Sequence, residues 1–396
     1  MIAQVRLIPM SSKATSLTQR ASAHLDMIRG VAALAVMVGH IRGLFFVDYS
    51  NLASASPALA LLYAVTGLGH QAVMVFFVLS GFLIGGSVLT AMKHWTWRRY
   101  LANRFCRLYL VLLPALLLTA VLDYIAYKQP GGHIYFDLPI AHFNTQALAG
   151  RHSLSVFLGN ALFLQTILVP TFGSNTPLWS LANEFWYYLL FPALVLTVYS
   201  PDKVKRRLIG FAMALLILDL LPGGIVVGFL IWSMGVAVHA LPTLNAGRGL
   251  RWGLQGVTVG IFFATLILSR AQRIPPDWGD PAVGFAFALW LYCIVRIRIS
   301  PSEVSPLYEW WAKLLSRSSY SLYAVHFPLV LLIRTSLGTS LWAPKLRSLA
   351  LGGGLCVAVF LFGLLFSRLT EAHNDAVRTR LLRYFITPVA ARQTAA

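Results

Sequence analysis

The sequence predicts an all-α polytopic membrane protein of about ten transmembrane helices, with both termini on the cytoplasmic side. Three observations predict it. Of 396 residues, 58% are hydrophobic and only 11% charged, whereas a soluble domain carries about a quarter charged residues to face water. Apolar stretches of the length that crosses a bilayer as helix, about 20 residues, recur along the chain, and no tract alternates with the period of two of a barrel strand. The cations, 32 Lys+Arg against 13 Asp+Glu for a net charge of +19, gather in alternate loops. The same composition excludes a disordered chain, and three cysteines in this length exclude a disulfide scaffold.

Ten apolar segments are read as spans: 25–47, 62–91, 105–126, 177–199, 208–222, 224–241, 253–269, 281–296, 319–337 and 348–368. The fifth and sixth are short and are divided only by Leu221-Pro222-Gly223-Gly224. Between spans two and three lie Lys93, Arg98, Arg99, Arg104 and Arg107; Lys203, Lys205, Arg206 and Arg207 follow span four, Arg248 and Arg251 follow span six, and Arg296, Arg298, Lys313 and Arg317 follow span eight. With the termini, about 24 of the 32 cations fall on one side, which short-loop counting makes cytoplasmic. Both termini inside require an even number of spans, and ten satisfies this. The +19 is therefore an orientation signal, and nucleic acid is excluded as a partner in favour of the lipid bilayer.

Residues 1–22 form a basic cytoplasmic segment without the apolar core and cleavage site of a signal peptide, so the first span is read as its own signal anchor. The membrane domain covers 23–370 and a cytoplasmic tail 371–396. The largest exterior segment, 127–176, holds Pro130-Gly131-Gly132 and His133, His142 and His152, which at such wide spacing read as solvated loop residues rather than a metal site. Its apolar part 153–170 is either a lip or re-entrant piece or an eleventh span. Cys106, Cys293 and Cys356 sit in or beside spans as small hydrophobes. No metal-ligand spacing, dinucleotide fingerprint or P-loop is present.

Ionisable groups inside a span cost roughly 2.5–3.5 kcal/mol each on insertion scales and are functional candidates by default. The first span, HLDMIRGVAALAVMVGHI, places Asp26 and Arg29 three residues apart, adjacent on a helix surface. Arg29 and His40 are close to three full turns apart and point the same way, separated by roughly 16 Å. The alternative is a snorkelling Arg29 and a structural His40. The fourth span, NTPLWSLANEFWYYLLFP, carries Ser180, Glu184 and Tyr188 at i, i+4 and i+8, with the carboxylate about two turns below the exterior surface. The ninth, SSYSLYAVHFPLV, carries Ser319, Tyr323 and His326, the imidazole roughly 12 Å from the cytoplasmic end by helix rise. His40, Glu184 and His326 thus lie at interior depths that allow convergence on one cavity. In the second span, FFVLSGFLIGG, Ser80, Gly81 and Gly85 permit close helix approach, and the G-x-x-x-G spacings at Gly81/Gly85 and Gly256/Gly260 read as packing. Trp95, Trp97, Arg98 and Arg99 suit interfacial anchoring. Arg104 and Arg107 enter the third span one turn apart, where guanidinium forks suit an anionic, phosphate-bearing ligand rising from the cytoplasm.

These motifs together resemble the bacterial integral-membrane acyltransferase family 3, of the carbohydrate O-acetyltransferase type, over roughly residues 22–370. LDMIRGVAALAVMVGH holds the R-x10-H pattern at Arg29 and His40, FFVLSGFLI the second-helix signature, and RFCR the R-x-x-R at Arg104 and Arg107. WSLANEFWYYLLFP matches the fourth-span pattern through Trp179, Glu184, Tyr188 and Pro192, and SYSLYAVHFPL the late S-Y-x-x-Y-x-x-H-x-P-L segment. The chain departs from the family at Leu110, where Pro is common soon after R-x-x-R, at Phe185, where a second acid often stands, and at Ala72-Val73-Met74-Val75 in place of Gly-Val-Asp-Leu. These departures bear on acceptor or acyl preference. The 28 residues after Arg368 are too few for the soluble esterase-like domain of some relatives.

The resemblance implies transfer of an acyl group, by default acetyl, from cytosolic acyl-CoA to a hydroxyl of an extracytoplasmic carbohydrate or glycolipid, in the cytoplasmic membrane of a bacterium and with no tightly bound cofactor. It implies His40 as general base or transient acyl carrier, with Glu184 orienting the imidazole or the acceptor. Arg104 and Arg107, helped by Arg98 or Arg99, would hold CoA phosphates. Asp26 would fix Arg29, and Arg29 would contact the pantetheine arm or hold the first span in register. Ser80, Ser180, Tyr188, Tyr323 and His326 complete the candidate cavity. The competing reading is a carrier or flippase using His40 and Glu184 as a coupling relay; such folds carry internal repeats or paired broken helices, and no repeat is apparent here.

Overall fold

In the computed structural model, residues 17–52, 56–92, 95–130, 132, 148, 150–199, 204–297, 304–338 and 340–386 are described. Among them there are helices and isolated bridges but no strands. The order is α1 Gln19–Phe45, α2 Pro57–Thr66, α3 Gly69–Ser80, a π turn Gly81–Gly85, α4 Gly86–Ala91, α5 Trp97–Lys128, α6 Leu154–Ala161, α7 Trp179–Val198, α8 Val204–Leu220, α9 Gly223–Ala240, α10 Arg248–Arg270, α11 Pro276–Val295, α12 Pro306–Ser336, α13 Leu346–Leu369 and α14 Asn374–Ile386. Each of the ten expected spans is helical. Among the described residues, eight stretches are long and apolar enough to cross a membrane by length and composition. The two of the ten outside that set are α8, with 17 residues, and α12, whose 31 residues carry the serine-rich polar run.

Several boundaries differ from the expectation for physical reasons. The second span is interrupted at Gly67-Leu68, so α2 is a separate helix entered through Ser56, whose hydroxyl caps Leu59. The third span begins at Trp97 rather than 105, and the ninth helix at Pro306 rather than 319. These added turns are polar, so hydropathy does not find them. Outside the membrane, the Lys313 ammonium at 2.6 Å holds the Glu309 carboxyl below its usual range, and Gln19 donates to the same carboxylate, joining the heads of α1 and α12. Segment 153–170 is not an eleventh span. It is the eight-residue α6 followed by a compact turn in which buried Asn160 accepts from the Phe172 amide at 2.9 Å and buried Gln165 donates to the Leu178 carbonyl at 2.9 Å.

α1 and α12 run side by side and parallel, pairing His24 with Tyr308, Arg29 with Ser316, His40 with His326 and Leu44 with Arg334. Parallel direction is what the first and ninth of ten alternating spans must have. Their approach centres on Gly30, where a Cβ would fall 2.3 Å from that of Leu315. The second span closes on α9 in the same way: a Cβ on Gly81 would lie 1.8 Å from the Trp232 carbonyl oxygen. In lipid there is no water to drive apolar helices together, so such close packing and interhelical hydrogen bonds carry the association. The Gly256/Gly260 pair is different from the expectation, since a Cβ at either position would meet nothing within 4 Å; it packs against no helix of this fold.

Two prolines inside helices each free a carbonyl that a side chain from another segment satisfies. Pro192 removes the donor that would reach the Tyr188 carbonyl four residues back, and the Tyr100 hydroxyl supplies it at 3.0 Å. Pro328 likewise frees the Ala324 carbonyl, and the buried Asn175 amide donates to it at 2.8 Å. With no water at that depth, an unpaired carbonyl would be costly.

Candidate active site

α1, the second span, α5, α7 and α12 enclose a cavity of about 110 Å³. Its wall is mostly apolar, with Phe76, Phe77 and Leu108, but the polar groups that face it are Arg29, Arg107, Glu184, Ser180, Tyr188 and Tyr323, together with Ser80, Ser319 and Tyr320. The spacing of Ser180, Glu184 and Tyr188 along α7 steps the wall down by roughly 6 Å at a time. At the upper end the Tyr323 hydroxyl donates to the Pro177 carbonyl at 2.9 Å and accepts from Ser180 at 2.6 Å. Lower down, Ser80 meets the Tyr188 hydroxyl at 3.3 Å and accepts from the buried Trp232 indole at 3.1 Å.

At the end nearer the basic face, Arg29 donates to the Ser316 carbonyl at 2.8 Å and hydroxyl at 2.9 Å, and Ser316 in turn donates to Asp26 at 2.8 Å. Asp26 itself stands 3.8 Å from the guanidinium, so Asp26 fixes Arg29 partly through the serine. Arg107, Glu184 and Glu371 all lie within electrostatic reach of Arg29. Glu371, in the 3-10 turn Glu371–His373, accepts from the Ser321 hydroxyl at 2.9 Å. The sequence reading counts it with the cytoplasmic tail; α13 returns it beside α12, where Ser321 meets it. The Nε atoms of Arg29 and Arg104 are buried with no hydrogen-bond partner among the described residues.

Not every expected residue reaches the cavity wall. Arg104 lies over the Tyr100 ring at 5.9 Å, and Arg98 and Arg99 are exposed in the first turn of α5, about two turns outward of Arg107 by helix rise. Glu184 stands on the cavity wall. One partner of the His40 imidazole is His326, with His40 Nδ1 at 2.7 Å from His326 Nε2 and the two rings within 14° of parallel, their centroids 5.0 Å apart. Neither histidine is on the cavity wall, contrary to the expectation: His326 is fully buried, and its ring lies 6.0 Å from that of Tyr323, which does line the cavity.

The histidine pair has a defined proton arrangement. His326 Nδ1 faces two carbonyls of its own helix, Leu322 at 3.0 Å and Tyr323 at 2.9 Å. Carbonyls only accept, so Nδ1 carries the hydrogen and the Nε2 of the neutral ring is an acceptor. His40 Nδ1 must then be the donor between the rings, which leaves the lone pair of His40 on Nε2. A neutral imidazole held in that tautomer by a partner on its other nitrogen is what a general base requires. Sequence reasoning found both histidines but not this pairing, because nothing local links positions 286 residues apart.

A second polar cluster pins the exterior segment above the site. Buried Asp123 accepts from the Ser174 amide at 2.8 Å, the Ser174 hydroxyl at 2.6 Å and His152 Nε2 at 2.7 Å. His152 is therefore an anchoring residue rather than a solvated one; His133 and His142 lie outside the described residues. Asp123 and Asn175 were missed by the sequence reading, although Pro328 four residues after Ala324 signals that a carbonyl there needs a donor from elsewhere.

A family model for the acyltransferase domain matches residues 22–368. Among curated proteins, the chain is 34% identical over 175 residues to Acyltransferase MdmB of Streptomyces mycarofaciens, a stretch that is 42% of this chain and 38% of that protein. The match thus spans well under half the length of that relative. No solved structure matches. With a family match over nearly the whole chain, the chain belongs to the integral-membrane acyltransferase family 3.

Proposed function

We propose that the protein is a membrane O-acyltransferase moving an acyl group, acetyl by family resemblance, from cytosolic acyl-CoA to a hydroxyl of an extracytoplasmic carbohydrate or glycolipid. The observation that carries this reading is the oriented His40–His326 pair, set behind Tyr323 of a cavity that Arg29 and Arg107 also line. An acyl donor with phosphates and an acceptor hydroxyl each meet matching chemistry there.

In the proposed reaction the acceptor hydroxyl loses its proton to His40 Nε2 as its oxygen attacks the thioester carbonyl. The acceptor O–acyl bond forms, the C–S bond breaks, and the proton held on His40 passes to the departing CoA sulfur. His326 Nε2 accepts from His40 Nδ1 throughout, so the positive charge that develops on His40 faces a lone pair. That is the orienting role of the third member of a catalytic triad. Arg107 and Arg29 take the anionic and polar parts of the donor, Arg104 supports them, and exposed Arg98 and Arg99 attract it to the basic face, which charge bias makes cytoplasmic. Glu184, on the cavity wall, orients the acceptor by accepting from one of its hydroxyls.

The test is transfer of labelled acyl from acyl-CoA by the purified protein in proteoliposomes, with ester formation on added saccharide read by mass spectrometry. Loss of ester with His40→Ala at equal protein supports the reading. Movement of saccharide without any ester would identify a carrier and overturn it.

A further inference from the structure

A second and larger cavity, about 690 Å³, lies on the other side of α1, between α1 and α10 with α3 and α11 as its floor. On α1 its wall runs from Arg20 to Ala35, roughly 22 Å by helix rise and therefore longer than one leaflet of a ~30 Å hydrocarbon core. Its polarity is sorted along that length. Arg20, His24, Gln255 and Tyr308 are its polar residues, and all belong to the end nearest the basic face. Beyond them the lining is entirely apolar, through Val31, Val259, Phe263 and Leu266. Val31 and Phe263 are each 51% exposed, so the groove opens sideways to the bilayer. Gly256 lines it with nothing within 4 Å of where its Cβ would be, which accounts for the small residues on α10 that no helix of the fold uses.

The polar end is built to donate. Arg20 Nε donates to His24 Nε2 at 3.4 Å, so His24 Nδ1 carries the hydrogen and meets the Tyr308 hydroxyl oxygen at 2.7 Å. The Tyr308 hydroxyl hydrogen then remains to be given outward. On the neighbouring α10, the Arg251 guanidinium lies over the Trp252 ring at 5.3 Å, and its buried Nε has no partner among the described residues. The Arg20 guanidinium and the Tyr308 hydroxyl at the mouth, with Arg251 behind the lining Trp252, stand above an apolar cleft and complement an anion attached to a hydrocarbon chain.

We propose that this groove is a binding site for an anionic glycerophospholipid of the basic-face leaflet, one acyl chain lying between α1 and α10 and the headgroup phosphate held by Arg20, Tyr308 and Arg251. α1 carries Arg29 and His40 toward α12 on its other side, so a seated lipid supports the helix that positions them.

The full-length protein, purified in a mild detergent and examined by native mass spectrometry, is offered phosphatidylglycerol and phosphatidylcholine of matched chains. The expected result is at least tenfold greater retention of phosphatidylglycerol, which glycerol phosphate without chains does not displace. Arg20→Gln with Arg251→Gln removes the preference, while Gly256→Trp and, independently, Val259→Phe fill the cleft and reduce retention of both lipids. Equal retention of the two lipids, a preference that survives Arg20→Gln with Arg251→Gln, or binding that appears only after residues 1–16 are deleted would overturn the proposal. The last outcome would make the chain's own N-terminal segment the occupant. If the filled variants lose their fold in thermal melts, retention by the folded charge variant decides.

Discussion

Replacing His326 by Phe isolates the orienting nitrogen from the packing. The side chain is fully buried between Tyr323 and Phe327, and a ring of similar size keeps that volume filled, so the fold is expected to lose little. The change removes the acceptor 2.7 Å from His40 Nδ1. A buried donor left unpaired costs about 1–3 kcal/mol, and His40 recovers that cost by moving its hydrogen to Nε2, the tautomer that cannot take a proton there. General-base assistance is worth about 10²–10⁴ in rate. The expected fall in kcat is therefore about 10²–10³-fold, or roughly 3–4 kcal/mol of barrier. KM for the acyl donor is expected to stay unchanged, because Arg29 and Arg107 line the cavity and His326 does not. The assay is initial-rate transfer of labelled acyl by purified protein, with thermal unfolding as the fold control. His40→Ala should lose at least as much, and the double variant no more than His40→Ala alone, since residues acting as a unit are non-additive. A folded His326→Phe protein with wild-type kcat would refute the tautomer reasoning.

Arg107→Ala is expected to raise KM for acyl-CoA more than it lowers kcat, and Arg98→Ala with Arg99→Ala to have a smaller effect that disappears at high salt; equal effects of the two in steady-state kinetics would place the phosphates elsewhere. Asn175→Ala should destabilise by about 1–3 kcal/mol through the unpaired Ala324 carbonyl, and Pro328→Ala should recover most of it by restoring the helix donor; melting curves of the two single variants and the double variant read this directly. Gly81→Ala should sharply reduce folded protein, its Cβ having 1.8 Å to the Trp232 carbonyl oxygen, whereas Gly256→Ala has open space and should gain up to about 1 kcal/mol from helix propensity. Fluorescence-detected size exclusion of the two variants distinguishes one spacing from the other.

The spans were legible because bilayer solvation leaves a long apolar signature, and the charge bias oriented them. Polar helical extensions were not: Trp97–Arg104 and Pro306–Arg317 lie outside that solvent, so hydropathy stops before the helices do. Arg29, Arg107, Glu184, Ser180, Tyr188 and Tyr323 were legible as site residues because charge and hydroxyls inside a span are expensive and need a reason; all six line the one cavity. What each touches was not legible. His326 read as one more cavity residue, and Glu184 as orienting either the imidazole or the acceptor, so the partner of His40 stayed open. The pairing is set by the parallel register of α1 and α12, fixed at Gly30 against Leu315, which no local pattern encodes. Glu371 read as tail for the same reason: its place depends on α13 returning beside α12, where Ser321 meets it.

The central claim, that His40 takes the acceptor's proton in a transfer from acyl-CoA, is tested most directly by a single-turnover measurement. Purified wild type and His40→Ala are loaded with labelled acyl-CoA, the fraction bound is measured, and acceptor saccharide is added. The account predicts equal donor binding by the two proteins, rapid ester formation on the saccharide by wild type, and a rate slower by about 10² or more for His40→Ala. Ester forming at the same rate in both, or label passing to the protein in wild type before any saccharide is present, would contradict it.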